Sequence, residues 1–319
     1  MVKNFGVIGV GGYVAPRHLQ AIKDTGNRVV AAVDPNDSVG ILDQFSTEVD
    51  FFTEFERFDH HIEKLRRESE ENWIHYISIC SPNYLHNAHC HHALRAGADV
   101  ICEKPLVIAP WHLNSLQDSE RETGKRIYTV LQLRMHPKLL ELREQLAQEP
   151  PDVVHDVVLT YVTARGNWYF YSWKSIDDKS GGLATNIGFH FFDALIWLFG
   201  DVQSQRVYHA DKRRMAGFIQ LKKARVRWFL SIDAADLPVK PSSPGKTAYR
   251  SLIMDGQEIE FTEGFTDLHT RIYREVLEGR GLGIEEVRRS VELAFQIRMA
   301  KVTPPDEMTH PAVKRWLDK

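Results

Sequence analysis

The apolar, β-prone run Asn4-Phe5-Gly6-Val7-Ile8 passes straight into Gly9-Val10-Gly11-Gly12. About 20 residues further on, a second apolar run, Arg28-Val29-Val30-Ala31-Ala32-Val33, ends on Asp34. Strand, glycine turn, helix, strand and acid in this order are the layout that binds the adenosine half of a dinucleotide. Each part has a physical task. Gly9 permits the tight turn, and Gly11 and Gly12 carry no Cβ, so a pyrophosphate can approach the backbone around Tyr13 and Val14. The helix expected over 16–24 offers free N–H groups and a positive dipole end to the phosphates. Asp34 accepts from both ribose hydroxyls and repels a 2′-phosphate; with no Arg or Lys beside it, NAD is expected rather than NADP. Val14 stands where a third glycine would fall, which loosens the match. An ordinary glycine turn in another α/β domain is the competing reading.

Bulk properties exclude other classes. The 319 residues suit two domains with sizeable cores. Apolar residues are 43% and charged residues 26%, as in ordinary globular chains. A net charge of −3 gives no electrostatic case for nucleic acid or an anionic membrane. No apolar run is expected to span a bilayer, which takes about 20 residues, and no signal-peptide pattern is seen. The three cysteines, Cys80, Cys90 and Cys102, give no disulfide framework. The expected location is cytoplasmic.

The pattern changes near residue 130. Before it, strand and helix alternate. The run Ile74 to Cys80 stops at Ser81-Pro82-Asn83, a helix is expected over 85–96, and Asp99-Val100-Ile101-Cys102 is closed by Glu103-Lys104-Pro105. A helix over 111–123 and a strand over 126–133 follow. Short, continuous apolar strands of this kind belong to a parallel, doubly wound sheet with its ligand at the strand carboxyl ends. Beyond Pro137 the strands are longer and alternating, over 153–165, 203–210, 216–222 and 225–233. Helices are expected over 183–199, 266–278 and 285–300. The expected fold is α/β: an N-terminal doubly wound Rossmann domain (1–128) and a C-terminal α+β domain (129–319) with a large open mixed or antiparallel sheet. Trp228 and Phe229 in that sheet point to self-association.

Three segments carry candidate chemistry. Ser81-Pro82-Asn83 and Glu103-Lys104-Pro105 follow strand carboxyl ends and fall on the cofactor side. Lys104 there is either a partly desolvated donor to a substrate oxygen or a loop lysine. In Gly181-Gly182 through Asp193, Asn186 and His190 are four residues apart on one helix face, with Asp193 three further on. His190 is the only side chain of this segment whose residue type has an intrinsic pKa near neutrality; a core histidine is the alternative. Arg165, Asn167, Trp168, Tyr169 and Tyr171 leave a strand as a cluster suited to a polyhydroxylated or anionic ligand, or else form a rim loop or subunit contact. Gln132 and Arg134, at the exit of the last strand of the first half, are expected near cofactor or substrate. His86, His89, Cys90, His91 and His92 crowd one helix, but no acid or distant ligand set completes a cage, and no metal is expected.

Taken in order, Gly9-Val10-Gly11-Gly12, Asp34-Pro35, Ser81-Pro82-Asn83 with His86, Glu103-Lys104-Pro105 and Gly188-x-His190-x-x-Asp193 resemble the Gfo/Idh/MocA oxidoreductase family across essentially the whole chain. The resemblance implies Lys104 and His190 as the catalytic pair, with Lys104-Pro105 often cis. Members that oxidise inositol-type alcohols carry Asp where this chain has Asn186. The stretches Ala15-Pro16-Arg17-His18, Cys80 to His86, Arg165-Gly166-Asn167-Trp168-Tyr169, Lys223 to Asp233 and Gly264 to His269 are similar to the WlbA/WbpB-type subfamily. That likeness implies an NAD-dependent 3-dehydrogenase of UDP-N-acetylglucuronic acid in bacterial lipopolysaccharide O-antigen sugar synthesis. It further implies a homotetramer with tightly held NAD(H), reoxidised in some members by 2-oxoglutarate.

Oxidising a ring alcohol needs a base within about 3 Å of the hydroxyl. His190 is expected as base with Lys104 stabilising the alkoxide; the reverse assignment is open. The implied site is Gly9, Gly11, Gly12, Tyr13, Val14, Asp34, Ser81, Pro82, Asn83, His86, Glu103, Lys104 and Gln132 for the cofactor. For the substrate it is Lys104, Arg134, Arg165, Asn167, Trp168, Tyr169, Tyr171, Asn186 and His190. A different sugar or polyol dehydrogenase (inositol or glucose-fructose type) and a non-catalytic NAD-binding sensor are the alternatives.

Overall fold

The computed structural model describes residues 2–238, 247–261 and 264–317. They form two compact units: Met1–Gln132 with Asp267–Arg288, and Leu133–Thr266 with Arg289–Lys319. In chain order the elements begin β1 (Asn4–Ile8), α1 (Ala15–Asp24), β2 (Arg28–Val33), β3 (Asp50–Phe52) and α2 (Phe55–Glu68). Then come β4 (Tyr76–Ile79), α3 (His86–Arg95), β5 (Asp99–Cys102), α4 (Trp111–Thr123) and β6 (Ile127–Thr129). The second unit begins with α5 (Pro137–Ala147), β7 (His155–Thr163), α6 (Trp168–Tyr171), α7 (Asp177–Ser180) and α8 (Phe189–Phe199). It continues with β8 (Val202–Ala210), β9 (Arg214–Leu221), β10 (Ala224–Ser231), β11 (Ala248–Met254) and β12 (Gln257–Glu260). Three helices close the chain: α9 (Leu268–Leu277), α10 (Ile284–Met299) and α11 (Pro311–Leu317).

In the first unit six parallel strands lie in the order β3-β2-β1-β4-β5-β6. β1 is buried throughout, as a central parallel strand covered on both faces must be. The order reverses between β1 and β4, so the ligand crevice lies beyond the carboxyl ends of these two strands, where Gly9 and Ser81 follow. α9 returns to this unit and lies against α1, with Thr270 Oγ1 donating to Asp24 at 3.1 Å. The strand expected over 126–133 ends at Thr129, and the chain turns into a 3₁₀ segment at Gln132–Met135.

In the second unit the order is β12-β11-β7-β10-β9-β8. β7 and β10 run parallel and the remaining neighbours antiparallel, giving a mixed sheet. β11 and β12 were not expected from sequence. α8 packs on one face, where Phe192 meets Trp228 edge to face at 5.4 Å. On the other face Val162, Ala216 and Phe229 pack against Val313 of α11, and Phe229 stacks on His310 at 5.5 Å. Trp228 and Phe229, expected to drive self-association, are therefore already covered within the chain.

The helix expected over 183–199 opens with a π turn, Ala184–Gly188, before α8. A Cβ on Gly188 would come within 2.7 Å of Leu230, so this turn lies directly on β10. Contrary to expectation, the helical stretch Asp177–Phe199 is long and apolar enough to cross a membrane by composition. Of its apolar window 72% is buried inside the chain, as in a core helix.

Candidate active site

The turn after β1 is built as its residues require. Gly9 has φ +87°, and a Cβ there would meet Ser81 N at 2.6 Å. Gly12 N–H bonds back to Gly9 O at 3.0 Å, closing the turn. The missing third glycine is accommodated because the first buried residue of α1 is Ala15, one place later. Val14 caps α1 without a side-chain bond. Among the described residues, the N–H groups of Tyr13 and Val14 have no hydrogen-bond partner. Two such donors at a helix start are what a pyrophosphate takes up.

Asp34, at the end of β2, is aimed by two backbone donors: Gly11 N–H to Oδ2 at 2.9 Å and Asn36 N–H to Oδ1 at 2.9 Å. Each oxygen retains a lone pair for a ribose hydroxyl. Cradle, free donors and oriented acid together fit NAD, and all belong to the first unit.

The loops after β4 and β5 are tied to each other. His86 Nε2 lies 2.8 Å from Ser81 O, and its Nδ1 2.7 Å from Pro105 O. The imidazole is buried, so His86 braces the Ser81 and Pro105 loops from behind, where direct cofactor contact was expected of it. Asn83 is likewise buried. The Lys104-Pro105 bond is cis, and Lys104 is half-buried.

Glu103, also expected at the cofactor, is held inward. His18 Nε2 and His269 Nε2 each lie 3.0 Å from its Oε1, and Oε2 accepts Lys104 N–H at 3.2 Å. Burial raises this carboxyl, but the hydrogen bonds from the two imidazoles outweigh burial and hold it well below the usual carboxylate range. Burial lowers His18, against the pull of Glu103. These three are also the side-chain types that could hold a metal ion, their ligand atoms all within 4.8 Å of one another. Sequence reasoning missed His18 and His269 in this role, since nothing in the spacing of 18, 103 and 269 announces a contact. The histidine run of α3 is dispersed: His89 meets Ser81 Oγ at 2.8 Å, His91 meets Ser119 Oγ at 2.7 Å and His92 faces Asp59 at 3.6 Å. Burial pushes His89 down to about 4.

In the second unit, Asn186 lies in the π turn and His190 in the first turn of α8, both half-buried. Asn186 Nδ2 donates to Tyr169 Oη at 3.0 Å. Tyr169 is 2% exposed, whereas Trp168 and Tyr171 are 54% and 90% exposed. One aromatic of the expected cluster therefore fixes Asn186, and the others are open to a ligand. Arg165 is half-buried and Asn167 exposed. Arg134, expected at the ligand, donates from Nε and Nη2 to the two oxygens of Asp193 at 2.9 and 2.7 Å. A cavity of about 540 Å³ opens beside Gly181 and Gly182, lined also by Tyr169, Lys174, Lys212 and Arg298.

This fold and the dinucleotide cradle define an NAD-dependent oxidoreductase with a separate α/β unit. The chain belongs to the GFO/IDH/MocA oxidoreductase family: residues 3–131 match its NAD-binding Rossmann fold and 149–235 its C-terminal alpha/beta domain. Among solved structures it is similar to the WlbA (WbpB) dehydrogenase from Thermus thermophilus in complex with NAD and UDP-GlcNAcA. Identity there is 48%, covering 98% of this chain and 100% of that one, with a TM-score of 0.93. The same enzyme is known in complex with NAD and alpha-ketoglutarate, at 49% identity over 98% and 100% of the two chains and a TM-score of 0.93. The WlbA dehydrogenase from Bordetella pertussis shares the fold at 18% identity, over 96% of this chain and 98% of that one, with a TM-score of 0.74. A curated relative, D-glucoside 3-dehydrogenase from Escherichia coli (strain K12), is 31% identical over 127 residues, 39% of this chain and 35% of that protein. The chain spans a third to a half of the first curated relatives it matches.

Proposed function

We infer that this chain oxidises the C3 hydroxyl of UDP-N-acetylglucuronic acid to the 3-keto sugar nucleotide, with NAD as oxidant. The observation that carries the reading is the 48% identity, over both units, to a dehydrogenase whose complex holds NAD and UDP-GlcNAcA. The name of the E. coli relative, a glucoside 3-dehydrogenase, points to the same ring position.

NAD, when bound, would supply the two-electron acceptor for the hydride leaving C3. The chain's residues do the rest. Gly11, Gly12 and the N–H groups of Tyr13 and Val14 hold the pyrophosphate, and Asp34 the adenosine ribose. His190 takes the proton from O3, and the Lys104 ammonium donates to the same oxygen, stabilising the charge that develops as the proton departs. Asn186, held by Tyr169, offers a polar contact beside His190. Arg165, Asn167, Trp168 and Tyr171 receive the anionic and hydroxylated parts of the sugar nucleotide. The cavity lining holds Lys174, Lys212 and Arg298 beside Asp177 and Asp211, and its cations are the groups offered to a diphosphate or a uronate.

Reoxidation of the cofactor by 2-oxoglutarate is part of the same reading, on the strength of the Thermus complex with NAD and alpha-ketoglutarate. We place the enzyme in the cytoplasm, as a homotetramer, in O-antigen sugar synthesis. A panel of UDP-N-acetylglucuronate, other UDP-sugars, free glucosides and inositol, read by NADH absorbance, tests the substrate. Turnover confined to the free sugars or inositol would contradict it, and a protein that binds NAD yet turns over none of them would be a sensor.

A further inference from the structure

Glu103 and Lys104 are neighbours in sequence with opposite surroundings. Alternate side chains of an extended segment point to opposite sides; leaving β5, Glu103 turns into the unit and Lys104 remains half-buried. A carboxylate only accepts hydrogen bonds. The two imidazoles 3.0 Å from Glu103 Oε1 must therefore both present Nε2–H. That tautomer leaves a lone pair on His18 Nδ1, met at 2.7 Å by Tyr273 Oη. Burial lifts the Tyr273 phenol well above its usual range, so it keeps its proton to donate. Its oxygen in turn lies 2.7 Å from Ser78 Oγ in β4. A one-way chain of donors thus runs from Ser78 through Tyr273 and His18 to Glu103, and His269 enters from α9 as the second donor.

We propose that His18 and His269 are positioning residues for the reaction: they clamp the Glu103 carboxylate inside the unit and so keep it from pairing with the Lys104 ammonium. The proposal rests on the assignment of Lys104 above. An unclamped carboxylate one residue away would neutralise the ammonium that the substrate oxygen needs. The clamp reaches Lys104 through the carboxylate, and its three side chains are buried, so in this proposal it acts on turnover and not on binding.

The test compares His269→Gln, which keeps an N–H at the Nε2 place, with His269→Asn, one methylene too short to reach. Both are made in the full-length enzyme and assayed with NAD and UDP-N-acetylglucuronate. The Asn variant is expected to lose kcat by on the order of 10- to 100-fold, with KM and NAD affinity within about threefold of wild type. The Gln variant is expected to recover most of kcat. His18→Gln and His18→Asn give the same comparison at the second donor if a position 269 variant does not fold. Equal kcat in the Gln and Asn variants, or a loss confined to KM or NAD affinity, overturns the clamp. So does a stoichiometric divalent metal in the purified protein whose removal abolishes turnover, since the cluster would then be a metal site. Lys104→Ala is measured beside them: wild-type turnover there removes the Lys104 assignment, whatever the histidines do.

Discussion

Arg134 grips Asp193 through two parallel hydrogen bonds, Nε to Oδ2 at 2.9 Å and Nη2 to Oδ1 at 2.7 Å, and Ser290 Oγ adds a third to Oδ1 at 2.8 Å. Asp193 stands three residues beyond His190 on the same helix, so this pair anchors the turn that carries the imidazole. Replacing Arg134 by Met leaves a buried carboxylate without its cation. A loss of about 3–5 kcal/mol in unfolding free energy is expected, read by urea denaturation. A loss below about 1 kcal/mol would show that the pair is not a structural anchor.

Asn186 stands four residues before His190, in the π turn that leads into α8. A carboxylate there favours the imidazolium. Asn186→Asp is therefore expected to move the acid limb of the kcat/KM profile to higher pH by about one unit, because the base must be neutral to accept a proton. An unchanged profile would separate His190 from the proton transfer.

Much of the first unit was legible because its residues act locally. The helix over Trp111–Thr123 and the strand over Asp99–Cys102 emerge with the bounds read from their apolar runs and flanking turns. What was not legible is long-range. β11 was missed because Arg250 and Ser251 interrupt the apolar alternation of Ala248–Met254. The π turn was missed because the close approach of Gly188 to Leu230 is a property of packing. Arg134 read as a ligand residue because its partner lies 59 positions away. The donors to Glu103 were invisible for the same reason, one 85 and the other 166 positions distant.

Cofactor choice is assigned to Asp34, whose carboxylate is fixed by Gly11 and Asn36. Asp34→Ser removes both the ribose acceptors and the charge that repels a 2′-phosphate. The ratio of kcat/KM for NAD over NADP is expected to fall by on the order of 100-fold. A ratio that does not move would place the adenosine ribose elsewhere.

His155 supplies a pH-dependent tie. Its Nδ1 lies 2.6 Å from Asp255 Oδ2 and its Nε2 2.7 Å from Glu149 Oε2. Burial opposes the charged imidazole, but the two carboxylates outweigh it and raise His155 above 6.5. A raised folded-state value means the tie is fully present below pH 6.5 and is lost as pH rises through the higher folded value. Asp255 is shifted the other way, below 3.8, chiefly by its bond to His155, so its share is lost only in stronger acid. The stability difference between wild type and His155→Gln is expected to be largest just below pH 6.5 and to shrink toward alkaline pH. Denaturant melts across the range test this, and a difference that grows with pH would reverse the assignment.

Lys104 and His190 are the two residues to which the proposed oxidation assigns the reacting oxygen. The decisive measurement is NADH formation in a single turnover of UDP-N-acetylglucuronate by wild type, Lys104→Ala and His190→Asn, with NAD binding followed alongside. Each variant is expected to bind NAD normally and to form NADH slower by on the order of 10²- to 10⁴-fold. Near-normal NADH formation in either variant would contradict that assignment.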